Sequence, residues 1–298
     1  MAFDFTITSN VLSTGRTTYS AKLSGGSDPK FIIGYKTYYE GNLGLFNTSL
    51  AEGQIYKPED YISKYGFWSY FIYPTAMAES KGSFKCLNTY DRAKFTFGFM
   101  QYAAHVPNGD FIVFFKRLLQ LTNAKNYFPK LVLKDNRIYY LSTSGILSEL
   151  ENNLSSQHFM DYLNPTTNDI ENQELLCSAR LVHWASNDIG HRNLQVEVAT
   201  TLFKNNMKSY HERFNLDNAP AEVCLMICDI RHQGRSSNKR IAAALDTKGD
   251  YYKAFVNLCT IGNTNYQSRI ITVRNTIKRL QQQGLLSKKY DAKTGEFV

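Results

Sequence analysis

The sequence predicts a mainly α protein, and three observations carry that prediction. From about residue 168 onward the chain runs through successive segments whose apolar residues recur at three- and four-residue spacing, among them NDIENQELLCSARLVHWAS, LQVEVATTLFKNNMKSYHERF and SRIITVRNTIKRLQQQ. One segment, EVCLMICDI, is apolar on every side, which fits a central helix enclosed by others better than an amphipathic surface helix. Strand-like alternation is confined to the start of the chain and to one later hairpin.

Taken in order, residues 3–47 alternate in places (FDFTIT, KFIIGYKTYY) and are broken by Gly-Gly-Ser and Gly-Asn-Leu-Gly. An irregular N-terminal extension with short strands is therefore expected over 1–57, and a helical domain over 58–298. In PEDYISKYGFWSYFIYPTAMAES, acids in the first turn and aromatics at helical spacing predict a helix from Pro58. Pro74 should kink or interrupt it, and Glu79 should fall near its C-terminal end. Asp110 is placed to cap a short, buried helix, DFIVFFKRLLQL. LVLKDNRIYYLS reads as two strands about Asp135-Asn136, a pair suited to a tight turn. The remaining helices are APAEVCLMICDIRHQG, NKRIAAAL, DYYKAFVNLC and the last one through QQQ. In DIRHQGR, Gly234 should end the central helix while Arg231 or His232 satisfies its last carbonyls, a reading preferred to the alternative that the segment contacts substrate. His183 and Trp184, on a periodic helix, are expected to be packing residues.

With 298 residues, 43% hydrophobic and 20% charged, the chain can bury a substantial core and has no disorder-like tract. Its five cysteines are odd in number and lack CxxC spacing, which predicts reduced, buried thiols. MAFDFTITSN has neither a basic n-region nor an apolar h-region, and no apolar run reaches membrane-spanning length. Synthesis in the cytoplasm without a signal peptide and no membrane insertion are expected. The formal net charge of +8 favours polyanionic partners. The basic residues are scattered, with small clusters at RHQGRSSNKR and near LLSKKYDAK, unlike the stripe of a dedicated nucleic-acid binder, so no nucleic-acid partner is expected. No histidine pair with a supporting acid, no Gly-rich phosphate loop and no G-x-S-x-G occurs, so neither a metal nor any other cofactor is expected.

The segment DRAKFTFGFMQYAAH, 91–105, gathers more polar chemistry than a core needs. Twelve residues before it, Glu79 lies between the apolar run FWSYFIYPTAMA and the polar turn SKGS, a setting that can desolvate its carboxyl and make it a proton donor. Asp91 follows in a loop. Two carboxyls on separate elements, one in an apolar and one in a polar setting, are what glycoside hydrolysis requires. The same pair also reads as a helix-end glutamate and a loop aspartate making surface caps.

Glu79-Ser80, Asp91-Arg92 and Phe97-Gly98-Phe99-Met100-Gln101 together resemble the goose-type lysozymes and the related soluble lytic transglycosylases. The resemblance covers residues 78–104. It implies a lysozyme-like catalytic domain over 58–298, with Glu79 as general acid, Asp91 holding or activating water, and Tyr90, Gln101 and His105 contacting substrate. Thr96 would hold a water by its hydroxyl, as a threonine does in chitosanases, which resemble the same superfamily. Gly98 would let a ligand approach the backbone, and Phe97, Phe99 and Met100 would wall the cleft. The chain departs from the goose-type pattern after the Met-Gln pair, where Tyr102-Ala103-Ala104 stands in place of a second aspartate.

The implied activity is that of a muramidase cleaving the β-1,4 bond between N-acetylmuramic acid and N-acetylglucosamine in bacterial cell-wall glycan. Lytic transglycosylation of the same bond is open on these residues. A chitosanase, a chitinase and a non-catalytic glycan-binding protein are the alternatives. Action at the wall or periplasm would follow holin release, carriage in a virion or export by a secretion machine, and a toxin would have an immunity protein as partner.

Overall fold

The computed structural model describes residues 2–48 and 53–298. By internal packing the chain divides into two units, Met1–Ile55 with Ser83–Val198, and Tyr56–Gly82 with Ala199–Val298. Each unit is discontinuous in sequence. The first crossing, between Ile55 and Tyr56, falls beside the expected boundary at 57/58; two more follow.

The first unit opens with strands β1 (Phe5–Val11), β2 (Thr17–Leu23), β3 (Phe31–Tyr39) and β4 (Asn42–Phe46). The chain then enters the second unit through a 3-10 turn, Pro58–Tyr61, and helices α1 (Ile62–Tyr65) and α2 (Phe67–Ser80). It returns for β5 (Leu87–Asn88), β6 (Thr96–Phe97), β7 (Tyr102–Ala103), α3 (Asp110–Leu118) and α4 (Ala124–Tyr127). Strands β8 (Leu131–Lys134), β9 (Arg137–Leu141) and β10 (Leu147–Glu149) follow, with α5 (Gln157–Leu163) and α6 (Asn172–Asn187). Helix α7 (Ile189–Phe214) starts in the first unit and ends in the second. The second unit continues with α8 (Ala221–Gln233), α9 (Asn238–Leu245), α10 (Tyr251–Thr260) and α11 (Asn263–Gln282), then strands β11 (Tyr290–Asp291) and β12 (Glu296–Phe297).

The first unit overturns the expectation of a mainly α, lysozyme-like domain with an irregular N-terminal extension. Strands β1 to β7 form one antiparallel sheet of seven strands in sequence order, and the chain is an α/β protein. The extension is regular: β1 and β2 pair from Phe5↔Leu23 to Val11↔Thr17, and β2 meets β3 with a bulge at Tyr19/Ser20. Strands β5, β6 and β7 have two residues each, too few for alternation to show in a sequence. Helix α6 covers this sheet along β1, β2 and β3. Beside it Phe95, Phe97, Phe111, Phe114, Phe115, Phe128, Phe159 and Trp184 are fully buried. The predicted hairpin is present, since Lys134↔Arg137 flanks Asp135 and Asn136, whose φ of 48° and 57° suit a two-residue turn of the type asparagine tolerates. Asp110 begins α3 as its first residue, the capping position being Gly109.

In the second unit α2 packs on α8 and α11. Residues 223–230 of α8 are buried throughout, as an apolar segment without a polar face requires. Trp68, Phe71, Phe203, Tyr290 and Phe297 form an aromatic cluster around β11 and β12. The expected break at Pro74 lies instead at Gly66, which separates α1 from α2 with φ 54° and ψ −133°. Pro74 stays inside α2, where it removes only the backbone bond to the Tyr70 carbonyl, and packing against α8 and α11 maintains the helix. All five cysteines are buried and none is in a disulfide.

Candidate active site

Glu79 occupies the last turn of α2, which closes when Lys81 turns left-handed (φ 57°) and Gly82 donates to the Ala76 carbonyl. A carboxylate there faces the negative end of the helix dipole, and α2 has no basic residue in its last turn to offset it. The compensation comes from α11. Arg269 Nη1 lies 2.7 Å from Glu79 Oε1, and Nη2 donates to Asp229 Oδ1 at 2.7 Å. Asp229 Oδ2 in turn accepts from Arg235 Nη2 at 2.6 Å. His232 Nε2 stands 3.4 Å from the same Glu79 oxygen, its ring against Phe203.

The chain Glu79, Arg269, Asp229, Arg235 alternates in sign and sums to zero. The side chains of Asp229 and Arg235 are 0% exposed and Arg269 9%, whereas Glu79 retains 13%. Burial lowers the Arg235 pKa; burial also opposes charge on Arg269, but Glu79 and Asp229 raise it overall. Oε2 of Glu79 has no hydrogen-bond partner among the described residues. One oxygen is thus anchored by Arg269 and the other is left over.

The sequence assigned DIRHQGR to helix capping, and it does cap. Gly234 is left-handed at φ 72°, its N–H and that of Arg235 return to carbonyls of α8, and Arg231 donates to the Ser236 carbonyl at 2.9 Å. The same segment also supplies Asp229, His232 and Arg235 to the network around Glu79, a role the sequence reading missed. Its one signal was an acid, a histidine and an arginine at the end of an apolar helix. Arg269, 34 residues after Arg235, carried no signal.

The other expected site residues belong to the first unit. Asp91 sits in a turn where its oxygens accept from Asn88 Nδ2 (3.1 Å) and the Ala93 N–H (2.8 Å). Asn164, fully buried, fastens this turn by donating to the carbonyls of Thr89 (2.9 Å) and Lys94 (3.0 Å). Thr96 is buried on β6, paired with Asn88 and Ala103. The Tyr90 ring lies 5.8 Å from Tyr39 and 6.1 Å from Phe46, making a half-buried aromatic row; burial first and Asp91 second push its hydroxyl pKa up. Half-buried His105 has its pKa lowered by burial and by Arg92, with Asp91 opposing, so Asp91, Arg92 and His105 feel one another's charge.

Gln101 and Gly98 serve the fold in ways the resemblance did not imply. The Gln101 amide donates to the carbonyls of Gly98 (3.0 Å) and Cys86 (3.3 Å), closing its own turn with φ 51°. Gly98, at φ 90°, is approached by a protein side chain: a Cβ there would stand 2.5 Å from Gln195 Oε1. That oxygen accepts from the Phe99 N–H at 3.0 Å, while Gln195 Nε2 donates to the Phe84 carbonyl at 2.9 Å and the Gln195 carbonyl accepts from Tyr102 at 2.6 Å. Phe97, Phe99 and Met100 are fully buried.

Among the described residues no cluster of His, Cys, Asp and Glu could hold a metal ion. No family model, curated protein or solved structure matches the chain. What fold and site define is therefore an α/β protein of two units with a cation-anchored glutamate at a helix end.

Proposed function

We propose that the protein is a glycoside hydrolase acting on bacterial cell-wall glycan, with Glu79 as proton donor. The observation that carries this reading is the asymmetry of the Glu79 carboxyl, with Oε1 held by Arg269 and Oε2 unpartnered. A buried charge network costs desolvation that apolar packing of the same volume would avoid. Here its one partly exposed acidic group is Glu79. In the reaction, Glu79 takes up a proton from solvent on Oε2 and passes it to the glycosidic oxygen as the bond to the sugar breaks, returning to the carboxylate that Arg269 holds. A water then attacks the sugar and releases its proton to solvent.

Two further observations support the reading: the order Glu79-Ser80, Asp91-Arg92 and Phe97 to Gln101, and a net charge of +8 that favours anionic polymer. Chitosan is the second substrate class, favoured by Thr96 five residues after Asp91 and disfavoured by its own positive charge.

Glu79→Gln should keep the fold and lose about 10²- to 10⁴-fold in turnover, because an amide of the same shape donates no proton. Zymography on purified cell wall, with chitosan in parallel, measures it. Wild-type activity in Glu79→Gln, or no clearing of either polymer by the native protein, would remove the hydrolase reading.

A further inference from the structure

The two units differ in charge in a way the linear sequence conceals. The first contains 15 basic and 15 acidic residues, and the second 19 basic and 11 acidic, so the whole net charge of +8 resides in the second. Within it, residues 251–290 hold seven lysines and arginines and no aspartate or glutamate. Most of this stretch is α10 and α11. Helix α11 turns Ile270, Val273, Thr276, Ile277 and Leu280 inward, and Arg274, Lys278 and Arg279 are exposed on its other side. Arg279 leans on Tyr73, donating to its hydroxyl at 3.1 Å. At the end of α11, Gln281, Ser287, Lys288 and Lys289 line one shallow pocket, which also holds Glu222, a carboxyl from α8. Among the described residues Arg274, Lys278 and Lys289 form no ion pair.

We infer that this α11 surface is a docking site for a linear phosphodiester polymer without bases, of the kind carried by bacterial walls. Charge complementarity gives the sign of the partner: Arg274, Lys278, Arg279, Lys288 and Lys289 are exposed on α11 and the segment after it, which carry no aspartate or glutamate, and such a row attracts a chain of regularly spaced anions. The exposed side chains of α11 are arginine, lysine, asparagine, glutamine, serine, threonine and isoleucine, with no aromatic group among them to stack a base, and the Tyr73 ring beside them is covered by the Arg279 guanidinium, which sets this helix face apart from single-strand nucleic-acid binders. The inference shares the cell wall with the proposed hydrolase but needs no catalysis, and its test leaves Glu79 untouched.

The test measures binding of the full chain to poly(glycerol phosphate), and to single-stranded DNA of equal charge, from low to high salt. In Arg274→Gln/Lys278→Gln, affinity for the glycerol phosphate polymer at low salt should fall at least ten-fold. The slope of log affinity against log salt should shrink by about two, one for each cation removed. The control Lys36→Gln/Lys134→Gln, in the neutral first unit, should change affinity less than two-fold. Circular dichroism checks that both variants are folded. An unchanged slope in the α11 variant, or an equal loss in the control, would overturn the site; tighter binding of DNA with the same loss of slope would overturn the choice of partner.

Discussion

Glu174 in the first unit and Asp229 in the second are both completely buried carboxyls, yet their company could hardly differ. Glu174, in the first turn of α6, accepts a hydrogen bond from the Thr89 hydroxyl, whose oxygen also receives the Leu45 N–H, and it forms no ion pair among the described residues. Burial pushes its pKa up to about 8. Asp229 is held between two guanidiniums. The first unit bridges backbone segments with the neutral side chains of Gln195, Asn164 and Asn47 and holds the isolated buried pair Lys116–Glu151, while the second threads an ion chain through its core. A buried acid without a counter-ion stays protonated near neutrality; one with counter-ions stays charged and depends on all of them.

The comparison breaks most directly at Asp229. Asp229→Ala should destabilise the protein by about 3–5 kcal/mol, because Arg235 and Arg269 keep their buried charge and lose the acid between them. A urea midpoint within error of the native protein would mean that the arginines find water or other partners, and that the ion chain is not what the second unit relies on.

Glu174 should respond to pH instead. Its folded pKa lies above its unfolded one, so the folded state holds a proton that the unfolded state has already released. Stability is then full below about pH 4.5, declines as pH rises through about 8, and levels off beyond. The decline attributable to this residue is on the order of 4 kcal/mol, and Glu174→Gln should abolish it. The measurement is thermal unfolding of both proteins from pH 4 to pH 9; parallel curves across that range would sink the assignment.

The smallest effect concerns the neutral design. Gln195→Met keeps the volume but removes the bonds to the Phe99 N–H and the Phe84 carbonyl, at a cost of about 2 kcal/mol. Denaturant midpoints compared with Asp229→Ala order the two strategies. A loss in Gln195→Met as large as in Asp229→Ala would show that neutral bridges are as indispensable as ions.

Sequence periodicity recovered what is local. Helices α6 to α11 follow from apolar spacing, the Asp135-Asn136 turn from two residues, and Glu79 at the end of α2 from its position after an aromatic run. The sheet escaped because joining β4 to β5 rests on the single pair Phe46↔Asn88, across the whole Tyr56–Gly82 excursion. The ion chain escaped because Arg269 meets Asp229 and Glu79 only through the packing of α11 against α2. The basic character of the second unit escaped because its residues are separated in the chain by the neutral first unit.

Helix α2 imposes a wait during synthesis. It belongs with α8 and α11, yet roughly 190 residues separate its last residue from Arg269. At ribosomal speeds that interval lasts about 10–40 s. Throughout it, Trp68, Phe71 and Ile72 have no second-unit partner to cover them, while the whole Ser83–Val198 segment emerges and can complete the first unit. The nascent chain thus carries a bare aromatic helix beside an already folded neighbour, a natural client for a ribosome-associated chaperone, and Glu79 receives its guanidinium only as the final helices leave the tunnel.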